Sequence, residues 1–309
     1  MVIVTKALIL CGIIITIYTT LECISFFSLH GDIITDFAEK NKKVLYTAYG
    51  LYILICIMFI IAIFTESNNI AEGIIPFTLS VLIYLATHLG FTAIEKVKNK
   101  TKEMSEVLIG MIEARDTNLD GHSIHVMEIA LLIYDYLPQK YKKDIKREDL
   151  LYASLFLDVG KLGIPSSVLN KPGKLERDEW EIMKKHPKIG VQVLKQVKSF
   201  DKISDWILYH HERMDGNGYY GLKGEDIPLA SRIIALADTY SAIVMVRSYK
   251  PSRSYDDALG SLKIAAGPQL DKELVSIFCS IPREKVEKCT ENVKEKMSLF
   301  LANDFRKDN

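Results

Sequence analysis

Five of the seven histidines fall between positions 122 and 211, and acidic residues stand beside or between them. His122 follows Asp120-Gly121, Asp158 closes an apolar run, His186 precedes Pro187, and His210-His211 is followed by Glu212 and Asp215. Asp238 sits within an apolar stretch, where an unpaired carboxylate is costly to bury. Any one of these histidines alone is better read as an ordinary hydrogen-bonded residue. Together, imidazoles and carboxylates on several segments form the ligand set of Mn, Fe, Ni or Zn ions with positions open to water. A carboxylate that bridges two such ions lets the pair clamp both oxygens of a phosphoester during in-line displacement. No C-x-x-C pattern accompanies them, which removes the commonest structural zinc arrangement.

The segments that must position these residues read as helices, broken by clusters of Gly, Pro and Asn. Residues 122–137 are amphipathic and stop at Pro138, and residues 147–157 form an apolar helix ending at Asp158-Val159-Gly160. Residues 176–198 keep helical spacing, with Pro187 placed to start a new helix; 201–211, 230–246, 254–266 and 270–280 continue the pattern. No stretch alternates with period two, so the body, residues 113–280, is predicted all-α. Residues 281–309, rich in Lys and Glu with Val286, Val293, Met297 and Phe300, read as an appended C-terminal helix and frayed tail without assigned chemistry.

Ahead of this body lies a different kind of sequence. The 309 residues carry 39 basic and 39 acidic side chains, so no basic excess supports binding to a DNA or RNA polymer. The chain is 49% hydrophobic yet 25% charged, and the two are segregated: residues 1–94 hold only four Lys and six Asp or Glu. Residues 1–94 are predicted to be a transmembrane helical bundle with spans at about 7–29, 44–64 and 73–94. The run from Val44 to Phe64 lacks charge for 21 positions and that from Gly73 to Ile94 for 22, whereas Glu22 interrupts the first. No small-x-small cleavage site follows the first run, so it reads as an anchor and not a signal peptide. His88 has no acidic or His companion nearby in the sequence and reads as a neutral bundle-facing residue. Lys40, Lys42 and Lys43 fill one loop, residues 65–72 carry no Lys or Arg, and Lys96, Lys98, Lys100 and Lys102 follow the last span. Positive charge stays inside, so the chain is expected in the cell membrane as a multi-pass protein with its C-terminal domain cytoplasmic. Five cysteines without paired spacing agree with a reducing compartment. Ile94, Val97, Thr101, Met104, Leu108 and Met111 form a short a/d seam on a stalk helix over 95–112, which fits a parallel homodimer.

Along about residues 110–280 the chain resembles the HD-GYP phosphodiesterases. The resemblance runs in order through Glu113-Ala114-Arg115-Asp116, Gly121-His122-Ser123, Asp158-Val159-Gly160-Lys161-Leu162-Gly163, Lys171-Pro172-Gly173-Lys174 and His186-Pro187. It continues through His210-His211-Glu212-Arg213, Gly218-Tyr219, Ile227-Pro228, Ala237-Asp238, Arg247 and Tyr249-Lys250. It implies an all-helical HD-superfamily fold that hydrolyses cyclic di-GMP, or a related phosphoester, with two divalent metal ions, Fe, Mn or similar. On this resemblance His122, Asp158 and Asp238 would hold one ion, and Asp158 would bridge to a second held by His186, His210 and His211. Lys161 would act with Asp158 at the reacting phosphate, and Lys161, Arg247 and Lys250 would bind the phosphates of the cyclic dinucleotide. Members with a third ion carry a Glu where this chain has Asn118, so no third ion is expected.

The chain also departs from that pattern. The family's His-Asp pair reads Leu157-Asp158, which removes a ligand of the first ion and weakens that site. The Gly-Tyr-Pro motif has lost its proline in Gly218-Tyr219-Tyr220-Gly221, and the Asp expected three positions after Asp238 is Ser241. His125 stands one turn from His122, where the family has a basic residue; it reads as an exposed helix position, with replacement of the lost ligand as the sharper alternative. Two classes of function fit: a membrane-bound, metal-dependent cyclic di-GMP phosphodiesterase, or an inactive domain that binds a nucleotide or protein partner in signalling.

Overall fold

Prolines punctuate the helices. Pro138, Pro165 and Pro228 cap the starts of helices Gln139–Lys142, Ser166–Leu169 and Leu229–Val244, and Pro187 lies in the first turn of His186–Leu194. Each ring lacks an N–H at a position where a helix has no use for one, so it begins a helix without breaking it. The computed structural model describes residues 2–40, 54–55, 57–59, 61, 71–113, 121–245 and 253–302. Among these the structure is helical, with one isolated bridge between Ala266 and Leu270 and no other strand pairing.

The chain divides into two compact units, Met1–Lys102 and Glu103–Asn309. In the first, Val2–Lys40 and Ala71–Glu113 are long helices, the second taking in the stalk segment and running on into the second unit's residues. The stretches Ile3–Ser25 and Gly73–Gly110 are long and apolar enough to cross a membrane. Their large apolar side chains, among them Leu10, Leu21, Leu82 and Leu89, are mostly exposed, which distinguishes them from core helices. Residues 44–64 lie largely outside the described residues. The isolation expected of His88 is corrected: its Nδ1 lies 2.7 Å from Glu22 Oε1, and Thr16 Oγ1 lies 3.2 Å from Ser80 Oγ between the same two helices. The charge that interrupts the first apolar run thus meets the histidine of the last one, a pairing that sequence distance conceals.

In the second unit the helix His122–Tyr136 is buried along most of its length and forms the axis of the apolar core. Around it pack Leu229–Val244, Arg147–Leu155, Lys272–Ser280 and Arg283–Ala302. Arg147–Leu155 stops two residues short of the boundary expected from its pattern, and the chain enters a tight turn, Val159–Gly163, immediately after Asp158. The 176–198 pattern resolves into two helices, Arg177–Met183 and His186–Leu194. The C-terminal segment is a helix, Arg283–Ala302, whose Val286 and Val293 are fully buried in the same core.

Candidate metal centre

Close approach of two backbones builds the centre. A Cβ on Gly160 would collide with the carbonyl oxygen of His186 and the amide of Gly190. Glycine there lets the Val159–Gly163 turn lie directly on the helix His186–Leu194, which brings Asp158 Oδ1 to 3.3 Å from His186 Nε2. Gly218 plays a similar part in the loop above, where a Cβ would strike the backbone of Glu212. That carboxylate accepts from the amide of Tyr220 at 2.5 Å and holds the loop down.

An open cavity of about 580 Å³ has His122, Asp158, His186, His211 and Asp238 in its wall. The ring nitrogens of His186, His210 and His211 include one from each residue lying within 4.8 Å of the others. Backbone carbonyls orient two of these rings: Nδ1 of His186 donates to Met183 O at 2.9 Å, and Nδ1 of His210 donates to Ile207 O at 2.6 Å. Their Nε2 atoms are buried and make no hydrogen bond. A buried nitrogen lone pair without a donor is an unfavourable arrangement in an apoprotein and the normal one for a metal ligand, where the other ring nitrogen donates to a carbonyl. The donor set therefore fits a divalent ion at His186, His210, His211 and Asp158. Opposite, His122 Nε2 lies 3.0 Å from Asp238 Oδ1, a second imidazole–carboxylate pair in the same cavity.

Protonation favours the same chemistry. Burial works to raise the Asp158 carboxyl, but Lys161, whose Nζ donates to Oδ2 at 2.8 Å, overcomes it with the surrounding histidines and holds the group well below the usual carboxylate range. Burial also opposes ionisation of Asp238, and the hydrogen bond from His122 prevails, lowering that carboxyl. Burial pushes His186 down to about 4 against the pull of Asp158, and pushes His211 well down too, helped by His210 and His186. At neutral pH the centre presents Asp158 and Asp238 ionised and His186 and His211 neutral, the states in which each ligates.

Several site residues have no role assigned from the sequence, and Trp180 lies outside the matching motifs altogether. Tyr219 tilts over His211 with ring centroids 4.6 Å apart, and Trp180 meets Tyr219 edge-on at 6.4 Å, so an aromatic wall runs from a candidate ligand to the exposed indole. Lys171 and Lys174 line the same cavity. Both expectations for His125 are corrected: it is fully buried, and it bonds to Ser241 and Thr290 instead of joining the cavity wall. Leu157 is fully buried in the main apolar core and does not line the cavity. Asn118, Arg247 and Lys250 lie outside the described residues.

A model of the HD domain family matches residues 106–274. A cyclic di-GMP phosphodiesterase of Vibrio cholerae is 37% identical over 222 residues, covering 66% of this chain and 45% of its own length. The cyclic di-GMP phosphodiesterase response regulator RpfG of Xanthomonas campestris is 36% identical over 186 residues, covering 59% of this chain and 48% of its own. A 3'3'-cGAMP-specific phosphodiesterase of V. cholerae is 35% identical over 186 residues, covering 59% and 35%. The chain thus spans about half, or less, of the length of these curated relatives.

Proposed function

Because this chain belongs to the HD domain family, we propose that its second unit is a metal-dependent phosphodiesterase acting on a cyclic dinucleotide, with cyclic di-GMP the first candidate. One observation carries the reading: two buried imidazole nitrogens, on His186 and His210, have no hydrogen-bond partner beside the ionised Asp158. In this reading His122, Asp158 and Asp238 hold one ion, and Asp158, His186, His210 and His211 the other. Such ions, when bound, neutralise phosphodiester charge and make a water nucleophile available near neutral pH. Lys161 keeps Asp158 ionised and places a cation at the wall where phosphate would lie. Trp180 and Tyr219 offer the faces on which a nucleobase can stack. Leu157 leaves the first ion with three protein ligands, enough for a catalytic site but a weaker one than the second.

The test is joint metal analysis and chromatography of cyclic di-GMP after incubation with the purified chain. Hydrolysis that disappears on chelation and in His210→Ala, together with metal loss in that variant, is the expected result. Metal content unchanged in His210→Ala would show that the assignment of the site is wrong. A chain that binds the dinucleotide without cleaving it would mark a binding module instead.

The membrane assignment belongs to the same proposal. It is supported by two helices of sufficient length and apolarity, and by lysines placed before and after them. Ile94, Val97, Met104 and Leu108 are all exposed, so the stalk seam is available to a second copy, which supports a homodimer.

A further inference from the structure

A continuous run of hydrogen bonds leaves the metal centre on its buried side. His122 Nδ1 lies 3.1 Å from Ser241 Oγ, Ser241 Oγ lies 2.8 Å from His125 Nδ1, and His125 Nε2 lies 2.9 Å from Thr290 Oγ1. Ser241 and His125 are fully buried, and Thr290 is half-buried on the helix Arg283–Ala302. Without an ion, His122 Nε2–H donates to Asp238; with an ion in place of that proton, one pattern of protons would leave His122 Nε2 a lone pair toward the cavity. His122 Nδ1–H donates to Ser241, the single Ser241 hydroxyl proton goes to His125 Nδ1, and His125 Nε2–H donates to Thr290. Each link fixes the next, so the run sets both the tautomer and the ring plane of His122.

We propose that Ser241, His125 and Thr290 are positioning residues for His122, and that the helix Arg283–Ala302 is thereby a working part of the metal centre. The proposal rests on the reading of His122 as a metal ligand. Apolar side chains would fill these buried positions more cheaply if packing were their only role, since each buried polar group needs its partner. The same helix holds Lys296, whose Nζ lies 3.1 Å from Glu106 and 3.6 Å from Glu128, so it is anchored beside the run that it terminates.

The experiment uses the full chain in detergent, stripped of metal and titrated with Mn(II), with free ion followed by electron paramagnetic resonance. Removing such an outer partner typically weakens metal binding about 10–100-fold. Ser241→Ala is expected to weaken one Mn(II) site by that factor and leave the other unchanged. His125→Asn keeps an acceptor toward Ser241 and should stay near wild type, whereas His125→Gln loses it and should behave like Ser241→Ala. Thr290→Val, at a half-buried position, should weaken the same site while the metal-stripped protein melts at an unchanged temperature. If Ser241→Ala fails to fold, Thr290→Val and the Asn/Gln contrast decide. Wild-type Mn(II) affinity in all folded variants would overturn the proposal. A wild-type chain that binds no Mn(II) would overturn the underlying metal reading instead.

Discussion

Asp158 and Leu157 are neighbours in the chain with opposite environments: one ionised in the cavity wall, the other sealed in the apolar core. An imidazole introduced at 157 must find a partner or remain buried without one, at a cost of about 1–3 kcal/mol. Leu157→His is therefore expected to lower the melting temperature of metal-stripped protein and to recover it with Mn(II), with hydrolysis rising on the order of 10-fold as the first ion gains a ligand. Melting and turnover with and without Mn(II) check this; destabilisation that metal does not relieve would show that position 157 cannot reach the ion. Proton linkage gives a second prediction. Burial holds His186 at about 4, whereas an unfolded histidine titrates near 6.5. Between those values the unfolded chain takes up a proton that the native one refuses, so the stability of metal-stripped protein should fall as pH drops from about 6.5 to about 4. Urea midpoints across that range should show a shallower fall in His186→Gln. The ligand types were legible because imidazole and carboxylate are rare together in apolar surroundings. Their support was not. Ser241 and His125 read as two unrelated departures, yet they touch, and only the packing of Leu229–Val244 on His122–Tyr136 brings them together.

Helices carry these residues to one place, and one crossing matters most. The Val159–Gly163 turn can lie on His186–Leu194 only while position 160 lacks a Cβ. Gly160→Ala should force them apart at about 1–3 kcal/mol, the usual cost of overpacking. Since Asp158 and His186 sit on either side of that contact, metal affinity should fall with stability. Chelator competition and thermal melting would check it; a variant that melts early but keeps its metal would show that the crossing supports the fold alone. Periodicity located the longer helices of the body from Arg147 onward, because an apolar stripe is a local property, but not the single turn Ser166–Leu169. Pro187 marked the new helix that starts at His186, but periodicity missed the early end at Leu155, where tertiary contacts reshape the chain. Those irregular joints are where His186 and Asp158 stand.

Across the whole molecule, the contrast between an apolar front and a charged body was plain from composition. What it could not reveal is that Glu22 and His88, 66 positions apart, face each other between two long helices. A reporter fused after residue 100 should signal cytoplasm, and an external signal there would sink the topology and the messenger substrate together. A last consequence comes from Thr290, which lies 165 positions after His125. During synthesis the histidines from 122 to 211 leave the ribosome well before Arg283–Ala302 is made. At about 5–20 residues per second, seconds separate the two events. If that helix braces His122, the nascent centre stays slack through this interval and tightens only once Arg283–Ala302 has emerged. A product stalled or cut short ahead of Arg283 would then carry the ligand-bearing histidines without the brace, and one of its two metal sites would bind about 10–100-fold more weakly.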